Sequence, residues 1–266
     1  MSKPSNRFDT GSATHPGKKR ARNEDSHLVR SDAGLWAVAD GMGGHEAGDV
    51  ASQLIVEALD GISAPGSAVE LLEQVEAKIF LANRQIVELS RQRGGATIGS
   101  TVMILLIAED HFACVWAGDS RLYRVRNDAI EQVSRDHSEV EEMLARGAVT
   151  AEEARRWPSN VITRAVGVQD PPELEVITGA FGESDIFVLC SDGLNRHVSD
   201  DEIRQFVTTR EAQPASIALV ELAVERGGLD NITVVVVRPA GRRAEDVEMN
   251  SSAGQGQDLP TGNIWE

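Results

Sequence analysis

The chain has 266 residues, 41% hydrophobic and 26% charged, enough to bury a substantial core in one large domain or two small ones. Its formal charge of -16 excludes the basic footprint of a nucleic-acid or anionic-membrane surface, and no run of about 18 apolar residues is present to span a bilayer. Met1 to Gly11 lacks the apolar centre of a secretory signal, and Cys114 and Cys190 sit inside apolar runs, so buried free thiols in a cytoplasmic protein are expected.

Residues 1–13 are expected to form a loose start. Leu35 to Ala39 is a short apolar run ending in Asp40-Gly41, the pattern of a buried strand that closes in a turn. A helix starting near Glu46 carries Ala51, Ile55 and Ala58 on one face. Val69, Leu72, Val75, Ile79, Ala82, Ile86 and Leu89 recur by threes and fours, which predicts a second, long helix. Residues 101–107 and 112–117 read as strands joined at Glu109-Asp110, and 121–126 alternates as a half-exposed strand does. Thr150, with Glu153 able to reach back to it, predicts a short helix that ends before Pro158. Residues 186–190 and 232–237 read as buried strands, the second almost wholly β-branched, and 200–207 and 214–226 as helices. From Ala240 the chain is poor in apolar residues and is expected to be a disordered acidic tail, with Trp265 as the exception. Paired helices between clusters of strands predict an α+β fold with largely antiparallel sheets.

Acidic motifs recur at the ends of these strands. Glu24-Asp25 precedes the first, Asp40-Gly41 ends it, Gly118-Asp119 lies between two strands, Asp192-Gly193 ends another, and Asp230-Asn231 opens the last. One Asp-Gly pair alone is foremost a turn dipeptide. Asp40 and Asp192, however, each follow an uninterrupted apolar run, which hangs their carboxylates from a rigid element, and the following glycine lets backbone approach a ligand closely. Hard oxygen donors without a Cys or His cluster favour Mg2+ or Mn2+ over Zn2+. The six histidines are scattered singly, and Gly41 to Gly48 has neither the lysine nor the spacing of a nucleotide loop. No GxSxG elbow offers a nucleophile, which leaves a metal-activated water.

The ordered segments RARNED, VADGMGGHEAGDVAS, GST, WAGDSRLYR, RDHS, ITRAVG, LCSDGL and LDNITVVVV resemble the PP2C (PPM) family of metal-dependent serine/threonine protein phosphatases, from about Thr14 to Arg238. The stretch from Arg135 to Gly167 is also similar to the phosphatase encoded with type VI secretion systems. The resemblance implies a sandwich of two antiparallel sheets flanked by helix pairs, with a phosphatase domain over 14–239 and a flap at about 137–163. It implies that Asp40 bridges two ions, with the Gly41 carbonyl on one, and that Asp192 and Asp230 complete the shell. Glu24 acts through water, Asp25 and Asn231 support the site, and Arg20 binds phosphate. Asp119 with Asp192 holds a third, weaker ion. Met42 stands where animal members carry a proton-donating histidine, leaving the general acid to a water of that third ion or to His45. The implied activity is hydrolysis of phosphoserine and phosphothreonine by a monomer opposing a bacterial Ser/Thr kinase. Its substrate would be that kinase or a forkhead-associated protein, in type VI secretion control. The rival reading is a catalytically weak, phosphoprotein-binding pseudophosphatase. Locally, Arg20 could be part of a solvated basic run, Asp119 an anchor for Arg121, and Arg164 a flap ion-pair residue.

Overall fold

The computed structural model describes residues 7–43, 47–63, 66–154, 161–241 and 264–265. Two antiparallel sheets form its centre. One contains β1 (Phe8–His15), β11 (Ile232–Pro239), β10 (Ile186–Cys190), β7 (Arg121–Arg126) and β8 (Ala129–Gln132), in that spatial order. The other runs β2 (Asp25–Arg30), β3 (Leu35–Gly43), β5 (Val102–Ala108), β6 (His111–Ala117), β9 (Glu175–Ala180), with the short β4 (Ile98–Ser100) on the far end of β3. Helices α1 (Gly48–Asp60) and α2 (Ala68–Gln92) pack on the second sheet. Helices α6 (Asp200–Thr209) and α7 (Ala212–Glu225) pack on the first, behind the single turn α5 (Asp192–Asn195). The expected α+β sandwich flanked by helix pairs is therefore what the chain forms.

Strand side chains alternate between faces, and here both faces are buried, which explains the unbroken apolar runs. On β3, Trp36 and Val38 enter the core between the sheets while Leu35, Ala37 and Ala39 face α1 and α2. On β11, Val235 and Val237 enter the same central core, and Ile232, Val234 and Val236 face α6 and α7. Ser67 caps α2 by accepting from the Glu70 amide at 3.1 Å, and Ser199 with Glu202 forms a capping box on α6. Cys114 and Cys190 are buried free thiols. Among the described residues no helix is long and apolar enough to cross a membrane.

One expectation needs correction. Residues 8–13 are not loose: β1 pairs with β11 along its whole length, from Phe8 opposite Pro239 to His15 opposite Ile232. Its polar sequence hides this because it is an edge strand whose inward positions are Phe8 and Gly11, and a Cβ on Gly11 would lie 2.2 Å from the Ala212 backbone. The first helix begins at Gly48, and Glu46 lies outside the described residues. Trp265, the exception in the expected tail, is 5% exposed within the core that includes α1 and α2; residues 242–263 of that tail lie outside the described residues.

Leu105 is fully buried in the core between the sheets, whereas Val29 is 38% exposed. Leu105→Ala should cost about 2–5 kcal/mol in a urea unfolding series, and Val29→Ala should stay within about 0.5 kcal/mol.

Candidate metal centre

The acidic motifs meet because antiparallel pairing sends them to one end of the sandwich. Asp25 at the start of β2 is the register partner of Asp40 near the end of β3. The end of β10 lies against the start of both β11 and β7, bringing Ser191-Asp192, Asp230-Asn231 and Asp119-Ser120 to the same end. A basin of about 250 Å³ there is lined by Arg20, Glu24, Asp40, Gly41, Met42, Thr101, Asp119, Asp192, Arg196, Asp230 and Asn231, with Ile162 from the region 137–163. Of the sequence-predicted site residues, Arg20, Glu24, Asp40, Gly41, Asp119, Asp192, Asp230 and Asn231 line this basin, Asp25 lies just beneath it, and His45 is outside the described residues.

Hydroxyls and amides hold the acidic strand ends in place. The buried Asp25 accepts from Ser191 Oγ at 2.8 Å and Thr233 Oγ1 at 2.7 Å, which ties β2 to β10 and β11. Thr101 Oγ1 accepts from the Asp40 amide at 3.0 Å and lies 2.8 Å from Ser120 Oγ, linking Asp40 to the turn that carries Asp119. Asn231 Oδ1 accepts from the Glu24 amide at 2.8 Å, and its Nδ2 donates to the carbonyls of Pro16 and Arg22. The Gly41 amide donates to the Glu24 carbonyl at 3.1 Å, and a Cβ on Gly41 would come within 2.0 Å of the Gly48 carbonyl oxygen. Glycine is required there by close backbone approach.

Desolvation is the largest influence on these acids, and their mutual repulsion adds to it. Burial pushes Asp25 up to about 7, against the pull of its Thr233 and Ser191 hydrogen bonds. Asp119 is likewise pushed up to about 7 by burial, then by Asp192 and Asp136. Asp40 is raised well above the ordinary range by burial and by Asp25, Asp192, Asp119 and Asp230. Asp192 and Glu24 are also raised by burial, with Arg196 opposing the shift at Asp192 and Arg20 opposing it at Glu24. Two guanidiniums answer part of the charge. Arg20 meets both oxygens of Asp230, at 2.8 and 2.9 Å, and Arg196 pairs with Asp192 and, at 3.4 Å, with Asp230.

Asp25 Oδ1 and Asp192 Oδ1 are buried with no hydrogen-bond partner. Unpaired buried carboxylate oxygens in a basin with more carboxylates than guanidiniums fit divalent cations bound by hard oxygen donors. Among the described residues these acids do not converge into a ready-made cage. Like charges hold them apart, and Arg20 and Arg196 engage two of them.

Sequence reasoning missed Thr101, Ser191, Thr233 and Arg196. The GST, CSDG and ITV segments carried the three hydroxyls without marking them, because hydroxyl donors look alike in loops and at caps. The expected local role of Asp119 as an anchor for Arg121 is not what forms: Arg121 is held by both oxygens of Asp136. Arg164 does form ion pairs, each at 3.4 Å, with Glu173 and Glu175. His137 accepts from the Gly118 amide at 3.2 Å through Nδ1, so Nε2 donates to Glu175 at 2.8 Å. Its ring stacks on Trp116, and its carbonyl accepts from Thr163 at 2.8 Å, joining the Asp119 turn to the region 137–163. That region contains a helix not expected, α3 (Glu139–Ala145), and α4 (Ala151–Ala154), while Pro158 and His45 lie outside the described residues.

The sequence profile of the family described as protein phosphatase 2C matches residues 14–221. The serine/threonine protein phosphatase PstP of Mycobacterium tuberculosis is 38% identical over 225 residues, 83% of this chain, which spans 43% of that protein's length. A solved structure described as PppA, a key regulatory component of T6SS in Pseudomonas aeruginosa, is 40% identical. It superposes with a TM-score of 0.81 over 87% of this chain and 97% of that one. The catalytic domain of PstP in complex with 2 manganese ions is 33% identical, with a TM-score of 0.77 over 87% and 97% of the two chains.

The raised Asp119 supports a pH experiment. A carboxyl whose folded pKa lies near 7, above the unfolded value of about 4, stabilises the fold at low pH and loses that contribution as pH rises toward 7. In EDTA, Asp119→Asn should therefore gain stability relative to the wild type between about pH 4 and 7, and keep the gain above that. Thermal melts across this range would show a gap that opens with pH; a gap independent of pH would contradict it.

Proposed function

The chain belongs to the protein phosphatase 2C family, and on that premise we propose that it is a metal-dependent serine/threonine protein phosphatase. The observation that carries this reading is the meeting of Asp40, Asp192 and Asp230 with Arg20 in one basin, with a buried oxygen of Asp192 left unpaired. Asp40, Asp192, Asp230 and the Gly41 carbonyl would hold two divalent cations, manganese or magnesium, with Glu24 one layer further out. Such ions, when bound, activate water and stabilise in-line displacement at phosphorus.

The chain's own residues do the rest. Arg20 is a planar fork suited to grip two phosphoryl oxygens. Its fork pairs with Asp230, and a divalent cation beside that carboxylate would leave the fork available for phosphate. Asp25 and Asn231 keep the strand ends aligned, through Ser191 and Thr233 on one side and Glu24 on the other. Ile162 gives the basin an apolar wall beside the flap region, which suits a role in admitting the phosphorylated segment. Met42 lines the basin and has no proton to give a leaving alkoxide. The likeness to PppA, described as a key regulatory component of T6SS, supports a role for this chain in regulating type VI secretion, where its substrate would be a phosphoprotein of the cytoplasm.

Purified chain with manganese is expected to release phosphate from a phosphothreonine peptide and to stop in EDTA. Asp40→Ala or Asp192→Ala should lower kcat/KM by about a hundredfold or more, the scale of losing a preorganised electrostatic stabiliser. No turnover at saturating manganese would contradict the reading and favour a phosphoprotein-binding module.

A further inference from the structure

Arg196 lies just after α5, four residues beyond Asp192. It lines the main basin and also a second hollow of about 170 Å³, shared with Asp119, Arg121, Asp136, Asp192 and Asn195. The hollow contains two guanidiniums. Arg121 is committed to both oxygens of Asp136 and to the Tyr123 hydroxyl at 2.9 Å. Arg196 is bound instead to Asp192 Oδ2, and its charge favours the ionised forms of both Asp192 and Asp119. Asp192 is thereby divided. One oxygen is engaged by Arg196, while the other, Oδ1, stays buried and unpaired.

The family resemblance implied a third divalent ion between Asp119 and Asp192, and the hollow does not fit one. A further ion between Asp119 and Asp192 would have to compete with the guanidinium already paired with Asp192, which stays charged at any working pH and repels a second cation. We propose that Arg196 is the resident cation of the Asp119–Asp192 hollow, its guanidinium supplying the positive charge that a third ion would bring, so that the chain loads two divalent ions rather than three. The inference rests on the metal-dependent reading above. It makes Arg196 a positioning residue: it orients Asp192 for the two-ion centre, and its charge favours the ionised form of Asp119.

The test is manganese bound per full-length chain, measured by equilibrium dialysis and elemental analysis, with circular dichroism confirming the fold of each variant. Wild type and Asp119→Asn should both bind two ions. Arg196→Ala should bind a third, weaker ion, lost again when Asp119→Asn is added. Arg196→Gln, close in length but uncharged, should repeat that gain if the alanine variant fails to fold, and Arg196→Lys should remain at two. A third ion in the wild type that Asp119→Asn removes, or folded uncharged variants that stop at two, would overturn the assignment while leaving the two-ion centre standing. A wild-type chain that binds no manganese would instead overturn the metal-dependent reading itself.

Discussion

The mutual repulsion of buried carboxylates governs one end of this molecule. Glu24, Asp40, Asp119, Asp192 and Asp230 share a basin in which, among the described residues, Arg20 and Arg196 oppose them, and Asp25 lies directly beneath. Burial and proximity raise the pKa values of most of these acids, so the ionised cluster works against folding. The fold tolerates it because the acids hang from strand ends whose other residues fill three apolar layers. Short links from Thr101, Ser191, Thr233 and Asn231 stop the strand ends from splaying apart to relieve the charge.

That constraint gives the two arginines their places. Arg20 reaches from the segment before β2 to Asp230, and Arg196 reaches from the end of α5 to Asp192 and Asp230. Both are counter-ions within the acidic cluster. Arg20 is half exposed, with 51% of its side chain accessible, and can leave for a phosphate; Arg196, at 32%, is the more enclosed. The region 137–163 enters the same system through His137, which accepts from the Gly118 amide beside Asp119. Gly118 has φ +113, and a Cβ there would lie 2.6 Å from Thr101 Cβ, so the turn carrying Asp119 is built against the residue that holds the Asp40 backbone.

Much of this was legible in the sequence where burial is two-sided. The runs at 35–39, 186–190 and 232–237 face a core on both sides, so they read as strands, and the acids that terminate them read as candidates. Exposed edges were opaque. β1, β8 and β9 lie at sheet edges and carry polar or glycine-bearing sequences without a continuous apolar signal. α3 was hidden by its acidic composition, and α5 by an Asp-Gly pair that ordinarily marks a turn. Arg196 was illegible for the same reason: its reach to Asp192 exists only once α5 forms and puts the two residues one turn apart.

The central claim is that these acids are held together for cations to neutralise, and calorimetric melting of the metal-free chain at pH 8, with and without manganese, tests it most directly. Manganese at a hundred times its dissociation constant should raise stability by about 2.7 kcal/mol or more. Asp40→Asn, which removes a charge from the centre of the cluster, should raise the metal-free melting temperature and largely abolish the response to manganese. A wild-type chain whose melting is unmoved by manganese, or an Asp40→Asn chain that responds as strongly as the wild type, would contradict the account.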